Sequence, residues 1–212
     1  MKIALLGGTG DIAEGLVLRW SKAGHEIFIG SRSEEKAQTI TEEYKEKLAS
    51  LGIEGKISGM ANADAAKAAE VVIISIPPEY AASTISQIKD SFTDQIVVTP
   101  VVSMERHEDK SFVYNPPPHG SSALEIKEAL PETARLVSAY HNLPAKELSK
   151  VEEDLDYDVV ICGATTPNDD KKNEEILVPW KEKGITWWLE DINGMRADID
   201  VLRERIRAGP PK

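Results

Sequence analysis

The apolar and polar positions of the chain follow the pattern of a parallel α/β protein. Short apolar runs with β-branched residues alternate with longer segments in which apolar residues recur at helical spacing. The first run is Lys2–Leu6, and a helical segment, 11–23, follows it. The most continuous run, 71–76, predicts a central strand that helices cover on both faces, because such strands are apolar along their whole length.

The rest of the pattern extends this alternation to the end of the chain. We predict further strands at 27–32, 56–60, 95–99, 135–140, 156–162 and 185–189, and further helices at 34–50, 63–69, 79–90, 122–130, 169–183 and 197–207. Residues 101–120 have no clear period and predict either an ordered flap over the cleft or a disordered surface loop. The predicted fold class is α/β, a Rossmann-type, doubly wound, mostly parallel sheet with helices on both faces and a small C-terminal appendage.

A glycine-rich turn joins the first predicted strand to the first predicted helix. Its spacing, Gly8-x-Gly10-x-x-Ala13, is that of a dinucleotide-binding βαβ unit. We expect Gly8 to adopt a backbone angle that a side chain would resist. We expect Gly10 to let the backbone approach a pyrophosphate at the positive end of the helix. The predicted pyrophosphate contacts are Gly8, Thr9, Gly10, Asp11 and Ile12.

The end of the second predicted strand indicates which dinucleotide binds. NAD sites usually place a carboxylate there for the ribose 2′-hydroxyl, whereas this chain has Ser31 and Arg32, with Lys36 one turn further on. A hydroxyl and two cations attract a 2′-phosphate, and an arginine can bind it bidentately. We therefore predict NADP(H). The alternative is that Arg32 and Lys36 belong to a solvated loop and helix start beside Glu34 and Glu35.

The redox end of the dinucleotide is expected further along the same sheet edge. Ligands of an open parallel sheet bind beyond the carboxyl ends of its strands. Ile74 is equally compatible with a place in the hydrophobic core. The residues predicted to border the ribose or the nicotinamide are Ile74, Ile76, Pro77 and Val98. We predict a single NADP-binding domain over 1–212, with 145–212 as a C-terminal extension.

Composition narrows the remaining function classes. The formal net charge of −11 argues against nonspecific binding of nucleic acid or of anionic membranes. No stretch approaches the roughly 20 apolar residues of a membrane helix, and without an export signal we expect a cytoplasmic protein. The single cysteine, Cys162, follows apolar residues and predicts a buried, inert thiol. The scattered histidines lack metal-ligand spacing, so we predict no metal site.

Residues 1 to about 165 resemble the archaeal and actinobacterial F420-dependent NADP reductases. Among the matching segments, the run from Val137 to Ala145 is the most particular to this family. The matching segments are Lys2 to Gly10, Gly24 to Glu26, Gly30 to Arg32, Glu35 to Ala37, Gly59-Met60 with Asn62, Ile76-Pro77, Ile96 to Pro100 and Val137 to Ala145.

The resemblance implies a reversible hydride transfer in which reduced F420 and NADP⁺ give oxidised F420 and NADPH. By resemblance, residues 139–144 contact the deazaflavin. Ala139 is small where a second flat ring must approach, and His141 either donates to an oxygen of that ring or braces the loop. The resemblance also implies a homodimer or higher homo-oligomer with only small-molecule redox partners. It fails after Ala197, because 198–212 lacks the family's loop and long apolar helices.

Two other functions fit the same cofactor site. One is an NADPH-dependent reductase of another small acceptor, such as an imine, a ketone or a metal complex. The other is a non-enzymatic NADPH-binding sensor or scaffold, which the divergent C-terminus permits. Hydride transfer between two rings needs little side-chain acid–base chemistry, so the lack of a catalytic triad agrees with a redox enzyme.

Overall fold

A computed structural model of the chain describes residues 1–109, 111–141, 143–152, 160–163, 170–182, 187–190 and 200. The chain divides into two compact units, Met1–Asp154 and Leu155–Lys212. Residues 145–152, at the start of the predicted extension, belong to the first unit. The single domain over 1–212 stays a prediction.

The regular elements of the described residues alternate as the sequence pattern predicts. The strands are β1 Lys2–Leu6, β2 Glu26–Ser31, β3 Lys56–Ala61, β4 Val71–Ile74, β5 Ile96–Thr99, β6 Met104–Arg106, β7 Phe112–Tyr114, β8 Arg135–Ser138, β9 Val160–Gly163 and β10 Trp187–Glu190. The helices are α1 Asp11–Lys22, α2 Glu34–Ser50, α3 Asn62–Ala68, α4 Pro78–Gln87, α5 Ser122–Ala129, α6 Ala145–Leu148 and α7 Asp170–Lys181, with a 3-10 turn at Lys89–Ser91.

Six strands of the first unit form one parallel sheet in the order β3-β2-β1-β4-β5-β8. The chain proceeds outward from β1 to β3 and then returns past β1 to β4, so the connections change direction between β1 and β4. This is the switch point at which open α/β sheets bind ligands. The predicted Rossmann-type fold is confirmed.

Helices cover both faces of this sheet. On one face, Ala4 and Leu6 of β1 belong to a buried cluster with Ala66 of α3, Ile85 of α4 and Ile126 of α5. Successive strand residues point to opposite faces, yet Ile3 and Leu5 of β1 are buried as well. Helix α2 packs against β3 and β2. Each fully buried Leu or Ile, such as Leu5, stabilises the fold by about 1.5–3 kcal/mol relative to an exposed one.

Strand β4 ends two residues earlier than the apolar run predicts. The backbone N–H and the hydroxyl of Ser75 both donate to the Leu6 carbonyl, at 2.9 and 3.0 Å. Pro77, two residues further on, has no N–H for another such bond, and it precedes α4, with Pro78 as the first helical residue. Proline is favoured at this first position because its missing N–H would have no acceptor there.

Two helix boundaries also differ from the prediction. Helix α4 stops at Gln87 and is followed by the 3-10 turn, whereas one helix to residue 90 was expected. Helix α3 begins one residue before the predicted 63–69, at Asn62, and Ala61 holds the cap position in an extended conformation. Ser33 caps α2, because its hydroxyl accepts from the Lys36 N–H.

The aperiodic stretch 101–120 contains an ordered antiparallel hairpin of β6 and β7. Phe112, Val113 and Tyr114 of β7 are exposed, and the Tyr114 hydroxyl donates to the Gly120 carbonyl at 2.9 Å. This favours the ordered loop over the disordered one. These strands were not predicted because each has only three residues, which are too few to show a period.

In the second unit, β9 and β10 pair in parallel, and α7 continues through Pro179. Apart from residue 200, the helix expected at 197–207 lies outside the described residues. So do the starts of the strands predicted at 156–162 and 185–189, and the side chain of Cys162. Within the described part of the chain, no helix is long and apolar enough to cross a membrane.

Candidate functional site

The glycine-rich turn is tied to the second strand by its backbone. The N–H groups of Gly7 and Gly8 both donate to the Gly30 carbonyl, at 3.1 and 3.2 Å. The positive φ that was expected at Gly8 occurs at Gly7, where φ is +74°. Gly8 is required for packing instead, because a Cβ there would lie 2.8 Å from the Leu5 carbonyl oxygen. The prediction for the backbone angle of Gly8 is therefore wrong, and the two adjacent glycines divide the two tasks.

The N-terminus of α1 is open to an anion. Gly10 is its cap residue and supplies no side-chain acceptor, and the first helical bond runs from the Glu14 N–H to the Gly10 carbonyl at 3.1 Å. The amides of residues 11–13 precede that bond and have no acceptor within the helix. A Cβ on Gly10 would meet nothing within 4 Å. The start of α1 therefore offers both open space and backbone N–H donors that are unpaired within the helix, and a pyrophosphate requires both.

A cavity of about 470 Å³ adjoins this turn at the carboxyl edge of the sheet. Its walls come from the ends of β1 and β2, the start of α2 and the segment that follows β4. The lining residues are Gly7, Thr9, Ser31, Arg32, Ser33, Lys36, Asn62, Ile76, Pro77, Tyr80 and Thr84. The structure therefore brings together Thr9, the three residues predicted for the 2′-phosphate, and Ile76 with Pro77.

The two cations of this cavity are available to a ligand. Arg32 and Lys36 are exposed, and in the described part of the chain neither forms an ion pair with a carboxylate. Glu34, the candidate partner in the solvated-loop interpretation, accepts a hydrogen bond from Gln38 at 3.2 Å. Ser31 is buried, and its hydroxyl accepts from the Ser33 N–H at 3.3 Å. The arrangement favours an anion-binding role over a merely solvated loop.

Five lining residues were not predicted as contacts, namely Gly7, Ser33, Asn62, Tyr80 and Thr84. Asn62 is only 5% exposed, and its Oδ1 has no hydrogen-bond partner in the described structure. That oxygen lies 2.7 Å from the position a Cβ on Gly30 would take, so Gly30 must lack a side chain. Asn62 follows β3 at the carboxyl edge, and the rule of strand ends could have indicated it. Thr84 and Tyr80 are on α4, and no spacing in the sequence shows that they line this cavity.

The residues predicted to border the redox ring do not all line this cavity, because Ile74, Val98 and Ala139 lie outside its lining. Ile74 is 0% exposed and belongs to the core cluster, which favours the core interpretation. Val98 is buried as well, and Ala139 is half-buried. The Ala139 N–H donates to the Thr99 carbonyl at 3.1 Å, which joins the ends of β8 and β5. Contact of these residues with a ring stays a prediction.

The chain turns sharply after β8. Tyr140 has a φ of +73°, an uncommon angle for a residue with a side chain. Its ring centroid lies 6.4 Å from that of Trp20 on α1, a tilted aromatic contact that holds the turn. His141 follows and is exposed. Such strain is often found at functional sites, and it occurs here in the segment that resembles a deazaflavin-contacting run.

A larger cavity, of about 750 Å³, lies between α4, the hairpin and α5. Four carboxylates line it, those of Glu79, Glu105, Glu125 and Glu128. His119 Nδ1 lies 2.6 Å from Glu128 Oε2, and this hydrogen bond, followed by the negative charge of Glu128, raises the pKa of His119 above 6.5. Its negative lining makes this cavity a poor match for a dinucleotide phosphate.

Comparison with known proteins decides the family. A family model described as NADP oxidoreductase, coenzyme F420-dependent, matches residues 2–103. The chain is 40% identical over 180 residues to the F420-dependent NADP reductase of Methanocaldococcus jannaschii, covering 84% of this chain and 77% of that one. The chain belongs to the F420-dependent NADP reductase family.

Other relatives of the reductase family agree with this assignment. The F420-dependent NADP reductase of Methanothermobacter thermautotrophicus is 34% identical over 165 residues, which are 77% of this chain and 70% of that one. A crystal structure from Arthrobacter sp. FB24, provisionally described as an F420-dependent NADP reductase, has a TM-score of 0.62 at 23% identity and covers 98% of this chain and 92% of its own. At that identity, the structural likeness supports the fold alone.

Proposed function

We propose that this member of the reductase family transfers a hydride reversibly between NADP(H) and F420. The observation that carries the proposal is the pair of cations, Arg32 and Lys36, which line a cavity next to the glycine turn and form no ion pair with a carboxylate of the described residues. Family membership supports both the redox chemistry and the deazaflavin. Reduced F420 gives a hydride to NADP⁺ and releases a proton, which yields oxidised F420 and NADPH.

The phosphates of NADP(H) are assigned to two groups of donors. The pyrophosphate would accept from the backbone of residues 10–12 at the start of α1, beside Thr9. The 2′-phosphate would pair with Arg32 and Lys36 and accept from the Ser31 hydroxyl. Glu34 accepts a hydrogen bond from Gln38 and forms no ion pair with either cation in the described residues. Thr9 lines the same cavity as Ser31, Arg32 and Lys36, which supports a single nucleotide reaching both groups.

The redox ring is assigned to the sheet edge beyond β4, β5 and β8. Ile76 and Pro77 would form an apolar wall, with Val98 and Ala139 on the neighbouring strand ends. The protein's task there is to hold donor and acceptor rings in contact and to exclude water, since the two coenzymes carry the chemistry. His141 is exposed and can either donate to an oxygen of the deazaflavin or brace its own loop.

A direct test follows the absorbance of both coenzymes after NADPH is mixed with oxidised F420. We expect equimolar loss of NADPH and of oxidised deazaflavin, with NADH a much poorer donor. NADPH loss only with an imine, ketone or metal complex would support another reductase, and tight binding without turnover would support a sensor. Arg135→Asp is a matched control for charge changes at Arg32, because Arg135 begins β8 at the opposite, amino edge of the sheet.

We also propose a homodimer or a higher homo-oligomer. The hairpin supports this, since Met104, Phe112, Val113 and Tyr114 expose apolar surface close together, and contiguous exposed apolar patches commonly mark interfaces. Sedimentation velocity of the protein and of Phe112→Glu tests the assignment. A monomeric wild-type protein would contradict it. A cytoplasmic location stays a prediction.

A further inference from the structure

Tyr80 and Arg32 meet across the nucleotide cavity although they come from different parts of the sheet. Arg32 follows β2, whereas Tyr80 lies in the first turn of α4 after β4. The Arg32 guanidinium carbon lies over the Tyr80 ring, 5.6 Å from its centroid. Both residues line the cavity. The pair therefore spans the cavity above the switch point between β1 and β4.

The geometry is that of a cation–π contact. Such contacts form within about 6 Å of a ring centroid and depend on the electrons of the ring face, so an aliphatic side chain cannot replace them. Tyr80 is 50% exposed, which is unusual for a residue held by packing alone. Its exposure indicates that the ring contributes to the cavity more than to the core.

The backbone that carries Tyr80 is well fixed. The Tyr80 N–H donates to the Pro77 carbonyl at 3.0 Å, and the Ser83 hydroxyl donates to the Tyr80 carbonyl at 3.0 Å. Pro77 and Pro78 restrict the chain before the helix. The flexible partner is the arginine, whose long side chain loses rotamer freedom whenever it binds a phosphate. A fixed ring that already holds the guanidinium reduces that loss on binding.

We propose that Tyr80 is a positioning residue that holds Arg32 over the cavity and thereby strengthens the preference for NADP(H) over NAD(H). The inference rests on the proposed function, because it assigns Arg32 to the 2′-phosphate. If the ring only positions Arg32, it should raise the affinity for NADP(H), which carries this phosphate, and not for NAD(H). If the ring stacked on the adenine, it would raise the affinity for both nucleotides equally.

Equilibrium titrations with NADPH and with NADH separate these roles without any deazaflavin turnover. In Tyr80→Leu, we expect the Kd for NADPH to rise about two- to fivefold, the size of one exposed cation–π contact, and the Kd for NADH to stay unchanged. Tyr80→Phe keeps the ring and should behave as wild type. Leu124→Ala is a control for the loss of an exposed apolar side chain, because Leu124 is similarly exposed, at 53%, but lies on α5.

A double-mutant cycle with Arg32→Met completes the test. If Tyr80 acts through Arg32, Tyr80→Leu should not weaken NADPH binding further once the guanidinium is gone. Equal losses for NADPH and NADH, or an undiminished loss in the Arg32→Met background, would overturn the role of Tyr80. Wild-type protein that binds both nucleotides equally would instead refute the 2′-phosphate site. Thermal melts of each variant confirm that the fold is intact.

Discussion

Gly15 of α1 and Leu148 of α6 approach so closely that no side chain fits between them. A Cβ on Gly15 would lie 2.4 Å from the Leu148 Cβ and 2.9 Å from its carbonyl carbon. Arg19, one turn further along α1, donates to the carbonyls of Leu148 and Lys150 at 2.8 and 2.9 Å. The segment that follows β8 is thereby fixed on the helix whose N-terminus faces the nucleotide.

Gly15→Ala should lower the stability of the protein. Alanine in place of a helical glycine ordinarily gains about 1 kcal/mol, but overpacking at a tight contact costs about 1–3 kcal/mol, and a 2.4 Å approach to a Cβ lies at the costly end. We expect a net loss of about 1–2 kcal/mol, measured by urea unfolding with an unchanged m-value. An increase in the urea midpoint would show that α6 can move away from α1 at little cost.

Gly10→Ala should weaken NADPH binding without lowering the stability of the protein. Nothing lies within 4 Å of a Cβ at this position, and the backbone angles of Gly10, φ −108° and ψ 169°, suit any residue. Stability should therefore match wild type, whereas NADPH binding should weaken about tenfold, as if one hydrogen bond to a charged group were lost. Calorimetric titration measures the second effect. Undiminished affinity would mean that the pyrophosphate does not approach α1 here.

The pair of His119 and Glu128 predicts a pH dependence. The hydrogen bond and the charge of Glu128 raise the pKa of His119 above its usual value of 6.5. The stabilisation is therefore fully present below pH 6.5 and is lost as the pH rises through the raised pKa. NMR titration should find the pKa of His119 above 6.5 in wild type and closer to 6.5 in Glu128→Gln. Identical titration curves would show that the pair does not persist in solution.

Much of the fold could be predicted from sequence because each element has its own period. The run at Val71–Ile74 has no polar interruption, whereas α1 and α2 repeat every three to four residues, and these two patterns fix a parallel sheet between helices. The strand-end rule then places Arg32, Thr9 and Pro77 on one edge. No such rule detects the three-residue strands of the hairpin, which offer too few positions to show a period.

The finer features of the site depend on contacts between distant segments. Tyr80 and Arg32 are 48 positions apart in the chain, and only the strand order brings them within 5.6 Å. The positive φ could not be assigned between Gly7 and Gly8, since either glycine tolerates it and packing against Leu5 decides. Likewise, the bond of the Ser75 hydroxyl to the Leu6 carbonyl joins residues 69 positions apart.

The most direct measurement compares kcat/KM for NADPH and for NADH, with F420 as the acceptor, in wild type and in Arg32→Asp. If Arg32 pairs with the 2′-phosphate, the ratio of the two values should fall about 100-fold in the variant, since a charged hydrogen bond is replaced by repulsion. Most of that fall should come from NADPH, and Arg135→Asp should leave the ratio unchanged. Equal losses for NADPH and NADH in Arg32→Asp would contradict the assignment of this cavity to the phosphate of NADP(H).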